Sequence, residues 1–528
     1  HILQKAFSKH ILGRIQMNIK DAKNEIINTL RAYLKKDSSG KFVYPLVRQR
    51  PILLIGPPGI GKTAIMEQIA DKCQVGLVAY TITHHTRQSA VGLPKIVTRI
   101  YNGVPVDVTE YTMSEIIASV YDCMEKTGKK EGILFVDEIN CVSETLAPAM
   151  LQFLQNKTFG THKVPEGWII VAAGNPPAYN KSVREFDIVT LDRVRKIEIL
   201  PDTETWLEYA RENQIHGAVI SYLSMKKDNF YAAENTVDGK VFVTARGWED
   251  LSELLKSYEE MEIEAGEELI GEFLQKEEIV RDFSAYYRLY QKYKMDYHIP
   301  EILEGTLPEA AYEKCCQMAE NARFEESFTI TELVLEVLAG QAALWSEGDL
   351  RILHLWENIR QLKEFLKGKN EIEAMTDFLA VRRKSLEAKV DSELLLKREK
   401  KEEEEQLQIM EEYFCRLHEG HIHSVEDGLK KMQGFLDEES RLLKKEEKRM
   451  KKMLENAFSF LIKCFGEGQE LFLLETGLTG NSRVTSFISS HGCAAYFQYC
   501  DLLLCGEQEQ VMKEKCQEIL KENGKITS

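Results

Sequence analysis

The stretch from Pro51 to Ala70, PILLIGPPGIGKTAIMEQIA, leaves the chain few folds to adopt. An apolar run, Ile52–Ile55, breaks into Gly56-Pro57-Pro58-Gly59-Ile60-Gly61-Lys62-Thr63 and continues from Ala64 with helical periodicity. That is the pattern G-x-x-x-x-G-K-[ST] between a strand and a helix, the context that gives the motif its meaning. Gly56, Gly59 and Gly61 let the backbone turn so that its N–H groups converge on phosphate oxygens. The helix opening at Lys62 and Ala64 aims its positive end at the same place. Lys62 is predicted to neutralise the β and γ phosphates, and Thr63 to offer a hydroxyl to Mg2+. A glycine-rich turn with an exposed lysine is the plain alternative. Strand, loop, Lys-Thr and helix in one run favour the nucleotide.

Two further apolar runs end on polar residues suited to the same ligand. In GILFVDEIN, Ile133–Val136 reads as a buried strand with Asp137 and Glu138 at its carboxyl end. That is the edge where ligands bind in open α/β sheets. Asp137 is expected to hold Mg2+ through water, and Glu138 to polarise the attacking water. In WIIVAAGNPP, Asn175 follows another strand and ends on the same edge. An amide there orients the lytic water or touches the γ-phosphate; alone, it would read as a turn former before Pro176. Leu77–Ile82 and Ile197–Leu200 complete a set of short, uninterrupted apolar runs. Strands buried on both faces of a parallel sheet have this character. Their alternation with helical segments predicts an α/β fold, the parallel sheet of a P-loop NTPase.

Together these residues resemble an AAA+ ATPase. GPPGIGKT, LFVDEIN and VAAGNPP are similar to the Walker A, Walker B and sensor 1 motifs of that superfamily. Asp137-Glu138-Ile139-Asn140, followed by Ala173-Gly174-Asn175-Pro176, resembles its MoxR-like, dynein-related branch. The resemblance covers residues 17–275 and implies further roles. TLDRVRKIEI is similar to the Leu-Asp-Arg segment, which makes Arg193 the arginine finger. In that family the finger acts on a neighbouring subunit's nucleotide, so an oligomer is implied, typically a hexameric ring. Such a finger contributes about 10³–10⁵ in rate. FVTARGWEDLSELL looks like a lid helix bearing sensor 2, with Arg246 reaching the γ-phosphate. Residues 84–113 stand where this branch inserts a β-hairpin, often near the ring's pore, and THKVPEGW (161–168) is expected to form a second, shorter one. ATP rather than GTP, and a partner protein with a von Willebrand A domain, are likewise implied by the resemblance.

Composition sets the outer bounds. With a formal net charge of −16, the chain repels polyanions on average, against non-specific nucleic-acid binding. No uninterrupted apolar run approaches the roughly 20 residues of a membrane-spanning helix. The eleven cysteines form no C-x-x-C pair, which fits reduced thiols in a cytoplasmic protein. His418, His421 and His423 lack a completing ligand set and read as an exposed turn.

The expected organisation is a leader or expression remnant over 1–16, then an α/β nucleotide-binding core over 17–202. A helical lid (203–278) with no strand follows. After it come a helical domain (279–379), a charged long-helix arm (380–455) folded as an antiparallel hairpin, and a small helical domain (456–528). The arm's mixed-sign runs, KREKKEEEEQLQ and RLLKKEEKRMKK, read as solvated helix or coiled coil. The leading functional expectation is a Mg2+-dependent ATPase ring that remodels or matures a partner protein. One alternative is a GTP-using, restriction-type translocase on nucleic acid, disfavoured by the acidic chain. The other is a non-hydrolysing scaffold, disfavoured by intact Lys62, Asp137, Glu138 and Asn175.

Overall fold

The computed structural model describes residues 16–84, 90, 92–159, 162–177, 179, 183, 186–236, 239–367, 373–391, 397–419 and 424–499. The chain divides into two compact units: residues 1–205, 230–248 and 384–402 form one, and residues 206–229, 249–383 and 403–528 the other.

The first unit is built on a parallel sheet. Its elements begin with β1 (Gln16–Met17), α1 (Ile19–Leu34), β2 (Ile52–Ile55), α2 (Ala64–Cys73) and β3 (Gly76–Thr81). A hairpin, β4 (Pro94–Tyr101) and β5 (Val104–Tyr111), precedes α3 (Glu115–Thr127) and β6 (Gly132–Asp137). Then follow α4 (Ala147–Asn156), β7 (Thr158–Phe159), β8 (His162–Lys163), β9 (Trp168–Gly174), α5 (Ile188–Arg193) and β10 (Arg195–Ile199). Six strands align in the order β1-β10-β2-β9-β6-β3, every pairing parallel.

The uninterrupted apolar runs are explained by cover on both faces. Leu53, Leu134, Val136, Ile170 and Ala172 point to one side and pack with Ile116, Val120, Phe153 and Leu154 of α3 and α4. Ile52, Leu54, Ile133, Phe135 and Val171 point to the other and pack with Ile26, Leu30, Met66 and Ile69 of α1 and α2. The segment expected to be a leader reaches the sheet at Gln16, whose register partner is Glu198.

Beyond the sheet come α6 (Thr203–Glu212), α7 (Gly217–Met225), β11 (Ala232–Thr236), β12 (Gly239–Val243) and α8 (Ala245–Glu260). The antiparallel pair β11–β12 corrects the expectation of a strand-free lid. Its strands are short, and AAENT carries no apolar run while GKVFV carries one of only three residues, which hides them from a search for apolar runs.

The second unit is helical, with α9 (Glu267–Phe273), α10 (Glu277–Tyr297), α11 (Ile299–Glu304), α12 (Glu309–Glu320) and α13 (Phe324–Phe365). It continues through α14 (Glu373–Asp391) and α15 (Lys397–Glu419), of which residues 384–402 count with the first unit, and through α16 (Val425–Phe465), α17 (Gln469–Gly480) and α18 (Ser482–His491). Among the described helices only α13 is long and apolar enough to cross a membrane, yet 67% of that apolar stretch is buried inside the structure. It serves as the axis on which other helices pack. The charged stretch is not wholly solvated. Ile409, Met410, Tyr413, Phe414 and Leu417 form one stripe of α15 and bury with Met432 and Phe435 of α16 against Leu355, Ile359 and Leu362 of α13. The histidines at 421 and 423, and the side chain of His418, lie outside the described residues.

Candidate functional site

Register brings the three strand tips level. Ile55 pairs with Gly174, and Val136 with Ala172, so the residues that follow β2, β6 and β9 emerge side by side. Lys62 turns back into the cup they form and is buried. Its ammonium donates to Gly56 O at 2.9 Å, to Pro57 O at 2.8 Å and to Asn175 Oδ1 at 2.9 Å. The Lys62 ammonium is pushed down to about 8, chiefly by burial and in part by Arg246, while Asp137 and Glu138 work in the opposite direction.

Thr63, where α2 begins, donates its hydroxyl to Asp137 Oδ2 at 2.9 Å. The other carboxylate oxygen of Asp137 accepts the Glu138 N–H at 2.8 Å. Glu138 itself holds a left-handed backbone, φ 57°. That region is uncommon for a residue other than glycine and clusters at functional sites. Asn140 then ties β6 to β9: its Nδ2 donates to Asn175 O at 2.7 Å, and its Oδ1 accepts the Asn175 N–H at 3.2 Å. Gly174 leaves room for this clasp, since a Cβ there would stand 2.5 Å from Asn140 Oδ1.

Gly59 has φ +73°, and a Cβ on it would meet Thr244 at 3.0 Å. This close approach lets the N-terminus of α8 reach the loop, where the Arg246 N–H donates to Gly59 O at 3.3 Å. Arg246 is exposed beside the loop. Gly56 to Ala64, Asp137, Glu138, Asn175 and Arg246 are therefore gathered at one edge of the sheet.

Arg193 is not. It ends α5, just before β10, and Arg195 pairs with Ile52 at the opposite end of β2 from the loop. The strand between spans about 13 Å at roughly 3.3 Å per residue. Arg193 is exposed and donates to Gln155 Oε1 of α4.

Sequence reasoning missed Tyr231 and Thr244, which contact the loop from the lid segment. Tyr231 carried no motif to find it by, whereas Thr244 stands two residues before Arg246.

A glycine loop between strand and helix, with lysine and threonine at its end and acids on the neighbouring strand tip, defines a P-loop nucleoside triphosphatase. Residues 52–192 match the family described as ATPase family associated with various cellular activities (AAA). Over those residues the chain is similar to an AAA ATPase domain. Among the curated proteins, none matches it. Among solved structures, a "putative ATPase" from Cytophaga hutchinsonii is 15% identical over 40% of this chain, with a TM-score of 0.24. The alignment spans 55% of that protein's chain.

Proposed function

We propose that the chain is a Mg2+-dependent, MoxR-like AAA+ ATPase that works as a ring, a hexamer by resemblance, and remodels or matures a partner protein. The observation that carries the catalytic part is the gathering of two hydrogen-bonded pairs, Lys62 with Asn175 and Thr63 with Asp137, at one edge of the sheet. Lys62, released from the Gly56 and Pro57 carbonyls, meets the β and γ phosphates. The loop N–H groups from Gly59 to Ala64 cradle the rest.

Thr63 and Asp137 suit Mg2+. Their oxygens are 2.9 Å apart, so a divalent cation would be held there by the Thr63 hydroxyl and, through water, by the Asp137 carboxylate. Bound there, Mg2+ supplies positive charge to the phosphate oxygens. Glu138 takes the proton of the attacking water, and Asn175 orients that water or the γ-phosphate. Arg193, on the far edge of the sheet, suits a role on a neighbouring subunit's nucleotide.

The β4–β5 hairpin is the surface we assign to the partner protein, for which a von Willebrand A domain is the candidate. Ile96 and Ile100 on it are 73% and 75% exposed. The short β7–β8 hairpin abuts it, with the His162 ring nitrogen 3.1 Å from Tyr111 O. Free cysteines such as Cys73, Cys123 and Cys141 suit a reducing compartment, the cytoplasm.

Replacing Glu138 by Gln is the deciding experiment. Phosphate release should fall about 10²- to 10⁴-fold while ATP binding persists. Turnover at the unmodified rate would remove Glu138 from the role of base.

A further inference from the structure

A loop that turns its N–H groups toward phosphate has carbonyls to satisfy elsewhere. Lys62 serves those of Gly56 and Pro57. The next two are served by the lid segment. The Tyr231 hydroxyl donates to Pro58 O at 3.1 Å, and the Arg246 N–H donates to Gly59 O at 3.3 Å. The hairpin β11–β12 runs between these two anchors. Tyr231 also meets Tyr179 edge-on, ring centroids 6.5 Å apart at 72°. The Tyr179 N–H donates to Pro176 O at 3.1 Å, which places that ring on the turn after Asn175. One half-buried tyrosine thus touches the phosphate loop through its hydroxyl and the Asn175 turn through its ring.

We infer that Tyr231 is a positioning residue for ATP hydrolysis, a strut that holds the Arg246-bearing segment on the P-loop and couples it to the turn after Asn175. The inference rests on the reading of Arg246 as the γ-phosphate sensor. A segment fixed at two points cannot pivot. The same segment is held within itself by the Trp248 indole donating to Phe230 O at 3.1 Å, so loss of the hydroxyl removes its tie to Pro58 without unfolding it and leaves the Arg246 guanidinium less firmly set on the loop. The hydroxyl therefore acts through Arg246 and favours a nucleotide that carries a γ-phosphate.

The test uses the full chain, with calorimetric titration of ADP and of the non-hydrolysable analogue AMP-PNP. Tyr231→Phe keeps the ring and removes the bond to Pro58. It should weaken AMP-PNP by about 3- to 10-fold, the worth of one such hydrogen bond, leave ADP within about 2-fold, and leave the thermal midpoint in place. Arg246→Ala should also weaken AMP-PNP selectively, and the double variant should lose less than the product of the two single losses. Unchanged AMP-PNP affinity in Tyr231→Phe, with Arg246→Ala still selective, overturns the strut and leaves the Arg246 reading standing. Equal weakening of ADP and AMP-PNP marks a merely structural hydroxyl and overturns it as well. Arg246→Ala without effect fells the sensor reading, and the strut with it.

Discussion

Lys62 shows how strongly one residue's surroundings decide its chemistry. Its ammonium is buried, which holds its pKa near 8 before any nucleotide arrives. Charge is retained below that value and lost above it, so triphosphate affinity should fall as pH rises from about 8 toward 9.5. At pH 8 the anionic ligand restores the charge, and binding should take up a fraction of a proton. Calorimetry in buffers of different ionisation enthalpy reads this directly. At Gly174, replacement by alanine forces its Cβ against Asn140. The expected result is a loss of about 1–3 kcal/mol in stability and a lower kcat with ATP binding largely kept, read by denaturant titration and steady-state kinetics. Glu475 belongs to the helical unit. Both its carboxylate oxygens are buried with no partner among the described residues, and burial pushes the carboxyl up to about 7. A folded value above the unfolded one means the folded protein holds the proton longer. Stability is then lost as pH rises from about 4.5 to about 7. Glu475→Gln should flatten that slope and raise Tm at pH 8 by a few degrees, which a melting series across pH would show.

At the scale of elements, the sheet strands and the phosphate loop were legible because burial on both faces leaves an uninterrupted apolar mark. The lid hairpin β11–β12 was less so, whereas the β4–β5 hairpin was expected within 84–113. Asn102-Gly103, with φ of 51° and 82°, is the two-residue turn that closes β4 onto β5. Asn-Gly between strands is a strong hairpin signal, and Val104, Val106 and Val108 alternate beyond it, but the expectation of a hairpin here rests on the family resemblance and the length of the insertion. The stripe on α15 was hidden because a dense run of charges masks apolar residues recurring at helical spacing. The contacts of Tyr231 had no local signature at all, being made across a long separation in sequence. A two-stranded hairpin standing alone is only marginally stable, so the β4–β5 pair holds its apolar residues ready without a core beneath them. Ile96→Ser together with Ile100→Ser should leave basal ATP turnover within about 2-fold, because neither side chain supports the sheet. The same pair should abolish any stimulation by a partner protein, measured as phosphate release with and without it.

For the whole molecule, Arg193 lies on the far edge of the sheet from its own phosphate loop, and the proposed role on a neighbouring copy would separate the means of binding ATP from a means of accelerating its hydrolysis. Arg193→Ala should keep ATP affinity within about 2-fold and cut turnover by about 10³-fold. Mixing it with the Glu138→Gln chain gives an active junction wherever an intact glutamate faces an intact arginine, so two silent proteins together should release phosphate. A set of isolated chains would show none. On the proposed reading of Arg193, such a protein would meter itself by its own abundance: diluted, it would hold fuel and idle, and only above a threshold of crowding among its copies would it begin to burn.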